Sequence, residues 1–289
     1  MGCLSEWSVV LVGGDARERI LADEIRTAGG DVVLFGHAGE TADELHVAVR
    51  GRWVVAPVSG IGPGGLVKGP GGSIRILPEV ANHAQGVVAG AIDEAWAANL
   101  RVPVVAYRER DAFAWANAVP TAEGALAWAL NADGHILHDA WVGVTGFGRV
   151  AQILAPRLAG IGCRLRVLAR DPAERAHAKA LGYGAAPVAK EPLTDLAVLF
   201  NTIPSVIFDA EVVEVLPQTT LVLDLASPPG GFTPGARAVL EGRLAWHPSL
   251  PGEIAPASAA AIILETLEQL CPTLHGDARG RTRSASFPG

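Results

Sequence analysis

The sequence predicts an α/β protein with two domains, each built on a parallel sheet, joined by a connecting helix. Three observations carry that expectation. A short apolar run at Trp141–Thr145 stops at Gly146, a helical apolar pattern starts near Val150, and the turn between them reads Gly146-x-Gly148-x-x-Ala151. A second strand–helix–strand alternation opens the chain, at Trp7–Val12, Ala16–Ala28 and Asp31–Phe35. Through the rest, apolar runs of strand length alternate with helical patterns, as β–α–β units require. The domains are expected at 1–118 and 137–250, with the connecting helix over 119–136, a C-terminal helix over 251–273 and a disordered polar tail over 274–289.

At 289 residues the chain is long enough for two ordinary cores. Hydrophobic residues make up 49% and charged ones 18%, with a mean hydropathy of +0.30, as in a globular protein. No apolar stretch of about 18 residues is free of charge, Pro or Gly, so no membrane span is expected. No basic segment precedes the first apolar run, so no signal peptide is expected either. The net charge of −7 and the absence of a Lys/Arg run before the tail argue against nucleic acid as a partner. Cys3, Cys163 and Cys271 are widely scattered, without metal-ligand or CxxC spacing. They read as inert thiols in a reducing cytoplasm, with no metal site.

In the first domain, the strand at Trp7–Val12 closes on Gly13-Gly14-Asp15. This turn is a poor second dinucleotide site, because a carboxylate stands where a pyrophosphate would sit. Asp15 reads as a helix N-cap, or with Arg17 as a group facing a small substrate at the sheet's carboxyl edge. A third strand at Trp53–Pro57 leads into the glycine-rich loop Pro57–Gly65, where Ser59, Gly60 and the backbone N–H groups suit a carboxylate; a flexible connection continuing to Gly72 is the alternative. Gly86–Ala89 reads as a strand, Ile92–Ala98 as a helix and Val102–Tyr107 as a strand, after which Arg110 is either an anion contact or part of a solvated charge cluster. The connecting helix is placed at Asn117–Leu130, with Pro120 near its start and Thr121 close to its N-cap.

The second domain repeats the pattern around the fingerprint turn. Gly146 allows the tight bend, Gly148 lets a pyrophosphate approach the helix N-terminus, and Ala151 is small enough for helix–strand packing. The expectation is a Rossmann-type, doubly wound parallel sheet binding a nicotinamide dinucleotide. Strands follow at Arg164–Ala169, Leu196–Phe200, Thr219–Leu225 and Leu244–His247. Arg170, 22 residues beyond Gly148, stands where NAD enzymes usually place a ribose-binding acid. An arginine there favours the 2′-phosphate of NADP over NAD. The alternative has Asp171 on the ribose and Arg170 stacked on adenine. Asn201-Thr202-Ile203-Pro204 and Asp224, Ala226 and Ser227 fall at strand ends on the same edge and should line the nicotinamide half of the site. His247 reads as structural, with a catalytic role as the alternative.

Gly13-Gly-Asp-Ala-Arg17, Pro57-Val-Ser-Gly60, Pro120-Thr-Ala-Glu-Gly124, Gly146-Phe-Gly-Arg149, Asn201-Thr-Ile-Pro204, Asp224-Leu-Ala-Ser227 and Leu250-Pro-Gly252 occur in this order. In their order and spacing, over about residues 8 to 271, the chain resembles the dipicolinate synthase A-subunit family of endospore-forming bacteria. The resemblance implies oxidation of dihydrodipicolinate, from the lysine-pathway intermediate, to dipicolinate with NADP+. It also implies a partner, the flavoprotein-like B subunit, and a place in the mother-cell cytoplasm during sporulation. It carries over to Gly146, Gly148 and Arg149 at the pyrophosphate turn, with Phe147 and Val150 beside them, and to Asn201–Pro204. The segment from Gly62 to Gly72 and the tail have no counterpart in the family pattern. More distantly, Pro120-Thr-Ala-Glu123 with the fingerprint is similar to the layout of D-2-hydroxyacid dehydrogenases.

Such a reaction requires that two carboxylates be held, one C–H be aimed at a nicotinamide, and one proton be accepted. Arg17 and Arg110 are the carboxylate candidates, with Ser59, Gly60, Asn117 and Thr121 as further substrate contacts. Asp15 and Glu123 are the candidate bases, Glu123 also suiting a capping role. The rival expectations are a D-2-hydroxyacid-type dehydrogenase and a non-catalytic, NADP-sensing subunit. A homo-oligomer is compatible with any of them.

Overall fold

The computed structural model describes residues 3–132 and 136–276, and the chain divides into two compact units, Met1–Ala114 with Pro256–Gly289, and Trp115–Ala255. The first unit runs β1 (Ser8–Val12), α1 (Ala16–Thr27), β2 (Asp31–Phe35), α2 (Ala42–Ala48), β3 (Trp53–Val55), β4 (Leu66–Gly69), β5 (Gly72–Arg75), α3 (Pro78–Ala81), β6 (Gly86–Ala89), α4 (Glu94–Ala97) and β7 (Val104–Ala106). Five of these strands form a parallel sheet in the order β2-β1-β3-β6-β7. β1 is continuous apolar sequence because it is covered on both faces. Val9 and Leu11 pack with Leu21 and Ile25 of α1, whereas Val10 and Val12 point the other way, toward Leu45 of α2 and Trp96 of α4.

β4 and β5 form an antiparallel hairpin that lies over the end of β1. The Lys68 carbonyl accepts the Gly14 N–H at 2.7 Å. A Cβ on Gly13, whose φ is +70°, would stand 2.5 Å from that same oxygen. The Gly62–Gly72 segment is therefore a built cover rather than a loose connection. With Gly14 N–H given to Lys68 and Asp15 N–H to Glu18, the first turn has no donor row for a phosphate.

α5 (Asp111–Asn131) leads into the second unit, which continues β8 (Trp141–Thr145), α6 (Arg149–Gly160), β9 (Arg164–Leu168), α7 (Pro172–Ala180), β10 (Gly184–Ala186), β11 (Leu196–Asn201), α8 (Ala210–Val213), β12 (Leu221–Asp224), α9 (Pro234–Val239), β13 (Leu244–Trp246) and α10 (Leu250–Ile254). Its six strands are parallel, in the order β10-β9-β8-β11-β12-β13. The direction of winding reverses between β8 and β11, the doubly wound arrangement expected from the fingerprint. The final helix, α11 (Pro256–Gly276), belongs to the first unit, where Ala260, Ile263, Leu267 and Leu270 pack with Trp7, Leu21 and Ile25.

Several local expectations need correction. α5 begins at Asp111, so Pro120 and Thr121 lie inside the helix and Thr121 is not near an N-cap; its hydroxyl donates to the Asn117 carbonyl at 2.7 Å. Proline is tolerated there at the loss of one intrahelical donor. α2, the β4–β5 hairpin, α3, β10, α8 and α9 have no counterpart among the expected elements. Cys163 is free and half-buried, whereas Cys271 is disulfide-bonded rather than an inert thiol. The expected disordered tail opens with the last residues of α11, and from residue 277 on it lies outside the described residues. Among the described residues no helix is long and apolar enough to cross a membrane, and no group of acidic, His and Cys side chains could hold a metal ion.

Candidate nucleotide and acid–base site

In the second unit the fingerprint turn stands at the carboxyl end of the central strand β8. Gly146 has a φ of +72°, a conformation that glycine adopts without strain, and its N–H donates to Leu168 at 2.9 Å. Gly148 is the N-cap of α6 without a side-chain cap, and a Cβ placed on it would meet nothing within 4 Å. Open space thus lies over the amino end of α6, at Arg149 and Val150, where the helix dipole favours an anion. The first intrahelical bond there runs from Gln152 N–H to the Gly148 carbonyl. Phe147 is buried, with its ring edge-on to His177 and Tyr183, and its N–H donates to the Glu174 carboxylate at 3.2 Å.

The neighbouring strand ends are tied by one buried polar network. Thr145 Oγ1 donates to Asn201 Oδ1 at 2.6 Å, and Asn201 Nδ2 donates to Asp224 Oδ1 at 2.8 Å. The Asp224 carboxylate, fully buried, also accepts the N–H groups of Ala226 and Gly231. Thr202 Oγ1 donates to the Thr145 carbonyl and Ile203 N–H to Asn201 Oδ1. Every buried charge here has donors, so the network fixes the ends of β8, β11 and β12 rather than weakening them. Pro204 and half-buried Ser227 continue from it along the same edge.

At the end of β9, Arg170 is exposed, and Asp171 caps α7 by accepting the Ala173 N–H. Arg175 folds back so that its guanidinium donates to the carbonyls of Ala169 and Arg170 at 2.7 and 2.6 Å. Beyond β13, His247 Nδ1 lies 2.7 Å from Glu253 Oε2, and the pair is partly exposed at 32% and 47%. An ionised carboxylate only accepts, so Nδ1 carries the proton and Nε2 of a neutral ring is an acceptor. The pair comes from either side of the Pro248–Ser249 turn that leads into α10, and no spacing rule would have found it.

No family model matches the chain. The dipicolinate synthase A-subunit of Bacillus subtilis (strain 168) is 28% identical over 301 aligned positions, spanning 95% of this chain and 99% of that one. The crystal structure of the dipicolinate synthase A-subunit from Bacillus halodurans matches with a TM-score of 0.81 at 29% identity, over 93% of this chain and 99% of that one. The chain is a relative of the dipicolinate synthase A-subunit. Cofactor (NAD+)-bound 3-phosphoglycerate dehydrogenase of Entamoeba histolytica, at 13% identity and a TM-score of 0.59 over 96% of this chain and 99% of that one, shares the fold alone.

In this relative of the dipicolinate synthase A-subunit, the remaining sequence candidates fall in separate places. Arg17 is buried, and its Nε and one terminal nitrogen donate to the two Asp15 oxygens at 2.9 and 2.7 Å. That guanidinium serves Asp15 before any ligand. Burial pushes the Asp15 carboxyl up, but the hydrogen bonds and charge of Arg17 outweigh it and leave the group below the ordinary range. A depressed carboxylate is a weak base. Glu18, three positions beyond Asp15, is only 2% exposed, and burial drives its carboxyl up to about 7 despite the Asp15 N–H and the Arg17 charge. The hydroxyl of fully buried Tyr107 has no hydrogen-bond partner among the described residues. Burial, with the Glu18 charge, keeps it protonated.

Gly60 is buried at φ +86°, where a Cβ would stand 2.2 Å from the Ala91 carbonyl oxygen, so its role is to let the loops after β3 and β6 touch. Ser59 and Arg110 are exposed at the carboxyl edge of the first sheet. Asn117, Thr121 and Glu123 lie along α5, where exposed Glu123 is ion-paired with Arg157 at 3.0 Å and does not cap the helix.

Proposed function

We propose that this chain is the nicotinamide-dependent dehydrogenase subunit of a dipicolinate-forming enzyme, oxidising dihydrodipicolinate to dipicolinate with NADP+. The observation that carries this reading is the near-complete alignment with the dipicolinate synthase A-subunit, joined to a fingerprint turn open at the head of α6. The residues fit such a cofactor. Gly146, Gly148, Arg149 and Val150 would hold its pyrophosphate, Arg170 its 2′-phosphate, and the Asn201–Pro204 and Ala226–Ser227 strand ends would border its nicotinamide ring. When bound, the nicotinamide supplies a hydride acceptor.

The rest falls to side chains. Oxidising the dihydropyridine ring releases one hydride and one proton, and aromatisation supplies much of the driving force. His247 Nε2 takes the proton, while Glu253 holds the ring by Nδ1–H and stabilises the imidazolium formed. This replaces Asp15 and Glu123, of which the first is held by Arg17 and the second by Arg157. The partner is a flavoprotein-like B subunit, and the setting is the cytoplasm of the sporulating mother cell.

Turnover of dihydrodipicolinate with NADP+, followed at the absorbance of NADPH for the purified chain with and without its B partner, tests this reading. Reduction of NADP+ supports it, and nucleotide binding without turnover in either setting replaces it with a sensor. The phosphate assignment has its own test. Arg170→Asp is expected to weaken NADPH binding by about 10- to 100-fold while leaving NADH within about threefold, because a charge-assisted contact becomes a repulsion. Equal losses for both nucleotides would remove the phosphate role.

A further inference from the structure

Three helices begin with the same capping pattern, an Asp or Thr followed three positions later by Glu: Asp15-x-x-Glu18 at α1, Thr41-x-x-Glu44 at α2 and Asp171-x-x-Glu174 at α7. In the first two the glutamate reaches back to the N-cap N–H and closes a capping box. At α7 it does not. Asp171 still caps the helix through the Ala173 N–H, but Glu174 Oε2 turns away and accepts Phe147 N–H, 27 residues back in the fingerprint turn. A carboxylate on a surface helix has given up its local partner to stand beside the residue that separates Gly146 from Gly148.

Its surroundings are specific. Phe147 is fixed by burial, by His177 packed edge-on at 5.1 Å and by Gln152 Nε2 donating to its carbonyl at 2.7 Å, so the N–H that Glu174 grips does not wander. The second glutamate oxygen makes no hydrogen bond among the described residues, and the side chain is half-buried. Arg175, the next residue, crosses to the carbonyls of Ala169 and Arg170. The end of β9 therefore carries two acids, Asp171 bound to its cap and Glu174 turned to the fingerprint, with two arginines around the turn. In a parallel sheet of this winding, the strand beside the fingerprint strand borders the adenosine half of a dinucleotide.

We propose that Glu174 accepts a hydroxyl of the adenosine ribose and, against Arg170 and Arg175, sets the balance between NADH and NADPH. This inference rests on the nucleotide reading above. A carboxylate accepts from a ribose diol and repels a 2′-phosphate, whereas the arginines do the reverse. The pair of opposing charges makes the chain accept both nucleotides, and the acid limits its preference for the phosphorylated one.

Glu174→Gln separates this role from a structural one. The amide oxygen still accepts Phe147 N–H, so the turn stays braced while the charge is gone. Titration of wild type and variant with NADH and with NADPH is expected to shift the two affinities in opposite directions. NADH should weaken by about 3- to 10-fold, as a charged hydrogen bond becomes a neutral one, and NADPH should tighten by about threefold. Glu174→Ala, which also removes the brace, should weaken NADH further. Equal shifts for both nucleotides, or none while the wild type binds, would overturn the inference and leave Glu174 a brace for the turn. A wild type that binds neither nucleotide overturns the nucleotide reading and this one together.

Discussion

Replacing His247 with Gln is expected to lower kcat for the proposed dipicolinate-forming reaction by about 10²- to 10⁴-fold, the range typical of a lost general base. Gln fills similar space and can still donate to Glu253, so the β13–α10 corner should keep its shape. The affinity for NADPH should therefore stay within about threefold, and the loss should appear in kcat rather than in nucleotide binding. Glu253→Gln should cost less than His247→Gln, because it removes the orienting charge and leaves the imidazole. Steady-state rates with nucleotide titrations on both variants check this. A His247→Gln enzyme within about threefold of wild type would return the pair to a structural role.

The second large effect concerns stability and pH. The Glu18 carboxyl titrates at about 7 in the folded chain against 4.5 when unfolded, so the folded state holds its proton more tightly. The contribution of this group is therefore fully present below pH 4.5, declines as pH rises toward 7, and is lost above it. The loss is on the order of 3 kcal/mol, at about 1.4 kcal/mol for each tenfold change in proton affinity. Glu18→Gln keeps an acceptor for Asp15 N–H and carries no charge at any pH. It should raise the thermal midpoint of the first unit at pH 8 by about 5 to 10 °C and change it little at pH 5. Asp15, depressed by Arg17, loses its contribution only at still lower pH, so the two windows do not overlap. Parallel melting curves for wild type and variant at pH 8 that coincide would show that burial does not hold the Glu18 proton.

Much of the architecture could be read from the sequence because parallel strands buried on both faces are unbroken apolar runs. Val9–Val12, Val54–Val55, Val87–Val88 and Val198–Phe200 are of this kind, and each lies in a sheet. The fingerprint was legible because Gly146 and Gly148 leave a local mark. The β4–β5 hairpin was not, since Gly62–Gly72 has little alternating apolar pattern and its cover of Gly13 and Gly14 depends on a distant turn. α2 escapes an apolar-pattern reading, although Thr41-x-x-Glu44 announces it. The start of α5 is displaced in that reading because Pro120 resembles a first-turn proline, yet the helix carries it inside. Of the site, strand ends were legible and side-chain pairings were not. Asp15, Glu18 and Glu174 share one acidic pattern, yet one carboxylate grips an arginine, one is buried and one crosses to another turn. Similarly, nothing in the spacing of His247 and Glu253 tells that a bend folds one onto the other.

The return of α11 to the first unit has a consequence for synthesis. Emerging from the ribosome, the opening segment has Trp7, Leu21 and Ile25 ready, but the helix that covers them follows only after about 140 residues of the other unit. At elongation rates of about 5–20 residues per second, that apolar face waits roughly 7 to 28 seconds counted from the completion of the opening segment at Ala114. The nascent chain therefore presents a standing site for chaperones, and truncation before Pro256 should yield an insoluble amino-terminal half beside a second lobe that folds unaided.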